Sequence, residues 1–170
     1  ITITILGTVV LLSHPLTFVF LATGLLCQCL RPDAVPIARR VARVTAELGA
    51  SSLLAALWPY YSIVGLLTGA GEIYHPSNLI MYVDVLQRIW PVLLLSPFML
   101  GAFREARPRT ILYHIAVLVL IYGLGYLSGK YSYGRDITFI LILTQILIGD
   151  RIARLEAHLD ASRPKIANPL

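Results

Sequence analysis

Long apolar runs alternate with arginine clusters along this chain, and that alternation leaves few folds open to it. The runs cover about residues 3–29, 46–68, 85–103, 111–128 and 137–149. A bilayer core about 30 Å thick takes about 20 helical residues at 1.5 Å each, and four of the runs reach or approach that length. Eleven of the fourteen Lys and Arg residues fall after the first, third and fifth runs. They are Arg31, Arg39, Arg40 and Arg43; then Arg104, Arg107 and Arg109; then Arg151, Arg154, Arg163 and Lys165. If every run crosses, these three regions share one face, and Lys and Arg accumulate in short cytoplasmic loops. The pattern predicts an all-α polytopic membrane helical bundle of five transmembrane helices, with the N-terminus outside and the C-terminus cytoplasmic. Adding or removing one span scrambles the charge pattern. The chain is 57% hydrophobic and 14% charged, against about 25% charged in a soluble domain.

The expected organisation is a transmembrane domain over 1–149, a cytoplasmic amphipathic helix over 150–163 and a flexible tail over 164–170. Ile152, Leu155 and Leu159 fall on one stripe of that helix, and Asp150 is spaced to pair with Arg154. Pro15, after Ser13 and His14, breaks the first run. Residues 37–44 read as a basic, amphipathic helix start leading into the second. Ala46, Gly49, Ala50, Gly65 and Gly69, and then Gly125 and Gly129, have the spacing that lets helices approach closely. The chain opens on Ile1 inside an apolar run without a signal-peptide pattern. This predicts a missing N-terminal half or partner subunits, and a multi-pass protein of the bacterial inner (plasma) membrane.

The net charge of +5 does not point to nucleic acid, because the excess sits beside membrane ends, where it meets anionic lipid. Cys27 and Cys29, one residue apart, point in different directions on a helix and read as packing residues. His14, His75, His114 and His158 make no metal-ligand pattern, and His14 and His114 read as bonding neighbouring carbonyls. No metal and no cofactor are expected. No serine-nucleophile or phosphate-loop motif is present.

The three cations on the opposite face are Arg88, Lys130 and Arg135, each within a few residues of a membrane boundary. The last run has thirteen uncharged residues between Asp136 and Asp150. That is about 20 Å of helix, about 10 Å short of the hydrocarbon core, so either the bilayer thins there or the charged ends are drawn inward. A cation set at that depth suits an anionic lipid headgroup, above all a phosphate. Aromatic residues cluster on the same side, including Trp58, Tyr60, Tyr61, Tyr74, Tyr82, Trp90, Tyr126, Tyr131 and Tyr133. Trp58, Tyr60, Tyr61, Tyr74, His75 and Tyr133 are the candidates for a sugar or lipid pocket.

Ser13-His14-Pro15-Leu16, Leu57-Trp58-Pro59-Tyr60-Tyr61 and Tyr133-Gly134-Arg135 resemble the C-terminal transmembrane region of GT-C-type polyprenyl-phosphate-dependent membrane glycosyltransferases. The resemblance covers most of the chain through short motifs. It implies a many-span α-helical bundle in which a sugar moves from a polyprenyl-phosphate carrier on the extracytoplasmic face. It also implies that a basic residue of the later outer loops meets the carrier phosphate, a role carried here onto Arg135. The catalytic carboxylates of such enzymes lie in a large early loop, and no matching Asp or Glu pair occurs in this chain. No catalytic residue is therefore assigned, and the expected contribution is carrier-lipid binding. Two other readings compete. A non-catalytic scaffold or accessory subunit of a larger membrane complex tolerates change at Arg135 but not at the glycines. A transporter or flippase fragment needs ionisable residues deep in its spans, and none sits deep in the second, fourth or fifth.

Overall fold

The computed structural model of this chain describes residues 2–58, 62, 82, 83, 85, 87, 89, 90, 94, 96, 97, 99, 104–134 and 137–162. Among the described residues all regular structure is helical. The helices longer than one turn are α1 (Thr2–Ser13), α2 (Pro15–Gln28), α3 (Ile37–Ala56), α4 (Ala106–Ser128) and α6 (Ile137–Ser162), with a single turn, α5 (Tyr131–Gly134), between the last two. Tyr82, Val83, Val85, Gln87, Ile89, Trp90 and Leu94 are helical as well.

The first apolar run divides where its proline predicts. Pro15 has no N–H to offer, and His14 adopts an extended conformation with φ −156° and ψ 93°. His14 then caps α2, its Nδ1 accepting from the Thr17 N–H at 3.2 Å. Proline at the first helical position suits such a start.

α1 and α3 pack antiparallel. Ser51 Oγ donates to the Thr4 carbonyl at 2.9 Å, and Thr8 Oγ1 donates to the Ser51 carbonyl at 3.3 Å. Leu11, Phe18, Leu48 and Ala55 form the apolar core beside them. α4 and α6 also run antiparallel. Leu118 packs with Ile140 and Leu143, and Leu112 packs with Leu147 and Ile148. α2 joins the two pairs through Phe20, which stacks on Phe139 with ring centroids 4.4 Å apart.

Among the described residues one helix, Pro108–Ser128 with mean hydropathy 1.9, is long and apolar enough to cross a membrane. α1 and α2 are apolar but shorter. The difference from the expected five spans has local causes. The first run is two helices. α3 carries Arg39, Arg40, Arg43 and Glu47 in its first eleven residues and ends at Ala56, well before residue 68. Much of 85–103 lies outside the described residues. α6 runs unbroken to Ser162 and so includes Asp150, Arg151 and Arg154.

Two of the glycines read as packing positions do something else. Gly129 has φ 63° and ends α4, with its own N–H on the Tyr126 carbonyl and the Lys130 N–H on the Gly125 carbonyl. This is the left-handed cap that glycine adopts without strain. Gly49 faces open space, and a Cβ there meets nothing within 4 Å. Gly65 and Gly69 lie outside the described residues.

Candidate functional site

A groove of about 430 Å³ opens where the break in the first run meets the start of α6. His14, Leu16 and Thr17 line one side, and Thr138 and Phe139 the other. Two lines of local chemistry place these groups. The Pro15 break turns His14 out of the helix, and Phe20, one turn beyond Leu16, anchors α2 against Phe139. Thr138 sits in the first turn of α6, whose leading N–H groups lack intrahelical partners and carry the positive end of the helix dipole.

The hydrogen bonds at His14 fix its chemistry. A backbone N–H can only donate, so Nδ1 is an acceptor and the neutral ring carries its proton on Nε2. Thr17 Oγ1 also lies 2.9 Å from Nδ1. Thr17 Oγ1 therefore spends its hydrogen on Nδ1, and the groove offers a ring N–H and the Thr138 hydroxyl, with no carboxylate in its lining. Its polar groups suit an anion held by neutral donors. Among the described residues no three His, Cys, Asp or Glu side chains gather to hold a metal ion.

Beside the groove in sequence stands the turn 129–134. Tyr82, 2% exposed, donates its hydroxyl hydrogen to the Lys130 carbonyl. Tyr122 in turn donates to the Tyr82 carbonyl at 3.0 Å. Lys130 Nζ lies 5.9 Å from the centroid of the Tyr133 ring, within cation–π range. Gly125 gives Tyr133 and Tyr82 room against α4, and Gly134 lies against the Tyr82 ring.

The candidate residues divide accordingly. Lys130 and Tyr133 are brought together on this turn. Trp58 is 44% exposed at the end of α3, two turns past Ser51, and the antiparallel packing of α1 and α3 carries it away from the His14 groove. Arg88, Arg135, Tyr60, Tyr61, Tyr74 and His75 lie outside the described residues. Thr17, Thr138 and Phe139 were not candidates on sequence grounds, since only the fold brings them together; the signal available was the Ser-His-Pro break, because interrupted helices mark where backbone and side chains turn aside. Tyr82 was legible only as an interfacial aromatic.

His114 was expected to bond a carbonyl; it bonds the Phe20 backbone and also meets a hydroxyl. Its Nε2 lies 2.9 Å from Thr23 Oγ1, and its ring lies 4.8 Å from that of Phe20. Thr23 Oγ1 also reaches the Val19 carbonyl at 2.8 Å and the Phe20 carbonyl at 3.0 Å. Gly24 makes space for the ring, since a Cβ there would lie 2.9 Å from His114 Cε1. Thr23→Val removes the hydroxyl partner of a buried imidazole and is expected to lower stability by about 1–3 kcal/mol. Thermal unfolding of the purified variant checks this, and an unchanged midpoint would show that the pair does not hold α2 to α4.

At the opposite end of α4 and α6, Glu105 accepts from Arg151 Nη1 at 3.2 Å and pairs with Arg154 Nη1 at 2.8 Å. Arg154 Nε also reaches Asp150 at 2.8 Å. The Asp150 hydrogen bond and charge raise the Arg154 pKa still further, so this cation stays charged at any pH the protein meets. No protein-family model, curated protein or solved structure matches this chain.

Proposed function

We propose that this chain is the multi-pass membrane part of a glycosyltransferase of the GT-C type. It binds the polyprenyl-phosphate carrier at the groove between His14 and Thr138. The membrane part of the reading is supported by the unpartnered apolar surface of α4. Only 22% of its most apolar stretch is buried within the bundle, and Leu120, Leu124 and Leu127 are exposed. Soluble monomers rarely expose a contiguous apolar patch beyond a few hundred Å², whereas lipid covers such a face at no penalty.

One juxtaposition carries the site. The Ser13-His14-Pro15-Leu16 break and the first turn of α6, which follows Tyr133-Gly134-Arg135 in sequence, line the same groove. The groove thus joins the first motif to the helix that follows the second in sequence. Its depth fits the chemistry. α2 spans 14 residues from this level to its far end, about 21 Å, so the groove sits about 10 Å below the opposite surface of a hydrocarbon core about 30 Å thick. There a phosphate meets the Thr138 hydroxyl, an imidazole N–H and a helix N-terminus, while its polyprenyl tail stays in lipid. The chain orients the carrier. Deprotonation of the acceptor falls to carboxylates supplied from elsewhere.

Filling the groove tests the reading. Thr138→Trp and Thr17→Trp are expected to abolish labelling of the full chain by a polyprenyl-phosphate photoprobe in proteoliposomes, with the unfolding midpoint kept. Undiminished labelling of both stable variants would place the carrier elsewhere.

A further inference from the structure

A second groove lies at the other end of the α4–α6 pair. It encloses about 170 Å³ between Pro108, Ile111, Ile146 and Leu147, with Asp150 and Arg154 at its rim. Sites for a whole small ligand run about 300–1,000 Å³, so this one takes a segment of something longer. Ile146 is 53% exposed, which leaves the groove open sideways to whatever surrounds the helices. In a bilayer that is acyl chain. The charge around it is complementary to an anion: Arg151 and Arg154 pair with Glu105, Arg154 also with Asp150, and Arg104 and Arg109 stand near Glu105 in sequence.

Arg151 adds an independent observation. Its side chain is 17% exposed, and its Nη1 is engaged by Glu105. Its Nε and Nη2 are buried without a hydrogen-bond partner. Buried donors of this kind are rarely left unsatisfied, and least of all on a charged group. Arg154, which shares Glu105 with it, stands at the groove rim.

We propose that this groove holds one acyl chain of an anionic glycerophospholipid whose phosphate is bound by Arg154 and Arg151. The planar guanidinium forks suit bidentate donation to phosphate oxygens, and the chain below the headgroup lies along Ile111 and Ile146. Glu105 is the competitor, because it accepts from the same two arginines. The site rests on the membrane reading above and is independent of the carrier-phosphate groove.

Native mass spectrometry of the full chain released from nanodiscs tests it, with phosphatidylglycerol and phosphatidylcholine present in equal amounts. The wild type is expected to retain phosphatidylglycerol preferentially. Arg151→Ala and Arg154→Ala each reduce that retention about fivefold, the effect of one basic residue at an anionic membrane surface. Ile146→Trp removes it by filling the groove. Glu105→Gln increases it, a gain that a folding defect cannot imitate, and circular dichroism confirms helix content for every variant. Glycerol 3-phosphate at millimolar concentration leaves the bound lipid in place, because the chain contributes to binding. Displacement by that soluble phosphate would overturn the acyl-chain part of the site. Equal retention of the two lipids, or full retention in both arginine variants, would overturn the site while leaving membrane insertion intact. A chain that fails to enter nanodiscs at all would overturn the membrane reading from which the site follows.

Discussion

Arg135→Ala is expected to weaken polyprenyl-phosphate binding about 10- to 100-fold, the loss of one or two charge-assisted hydrogen bonds. The argument starts from position in the chain. Arg135 follows Gly134, which lies against the Tyr82 ring, and it precedes Ile137, the first residue of α6. Thr138 and Phe139 of that first turn line the His14 groove. Arg135→Lys keeps the charge but loses the fork, so it should recover only part of the affinity. Arg88→Ala should weaken binding less, since Arg88 is spaced to pair with Asp84 on its own helix face. Titration of proteoliposomes with a fluorescent polyprenyl phosphate reads all three variants. Wild-type affinity in Arg135→Ala would leave the scaffold reading in possession of the chain, because a scaffold has no need of that cation.

What was legible in the sequence is what local chemistry decides. The break at His14-Pro15, the start of α3 at Ile37 and the Asp150–Arg154 pair follow from a missing N–H, an amphipathic pattern and an i, i+4 spacing. Each is contained within one or two turns of helix. The end of α3 at Ala56 was less accessible, because apolar residues continue to residue 68. The signal that could have ended it is Pro59, which disfavours helix at Trp58 before it. Gly129 was misread for a similar reason. Its four-residue spacing from Gly125 resembles a packing motif, but Ser128-Gly129-Lys130 after a long apolar helix is also the signature of a left-handed cap. The His14–Thr138 groove, the Thr23–His114 bond and the bridge from Glu105 to Arg151 join residues 46 to 124 positions apart. No periodicity encodes such meetings, and they are the features that give the candidate sites their chemistry.

Gly125→Ala should be among the most damaging single-methyl changes in the chain, at about 1–3 kcal/mol. A Cβ at this position collides with Tyr133 Cβ and lies 2.6 Å from the Tyr82 hydroxyl. The Tyr82 oxygen is the far end of a side chain, but Tyr133 Cβ is fixed to the backbone of α5. Relief therefore requires the turn itself to move away from α4. That movement also strains the hydrogen bond from Tyr82 to the Lys130 carbonyl and shifts the segment leading into Arg135. Gly125→Ala is thus expected to lower the unfolding midpoint and to weaken polyprenyl-phosphate binding together. Gly49→Ala is the control. Its added methyl meets open space, and alanine is the better helix former by about 1 kcal/mol, so stability should hold or rise while binding is unchanged. Thermal unfolding and carrier titration of the two variants separate the causes. Equal, small effects at both positions would mean that the contact of Tyr133 with α4 does not hold the turn.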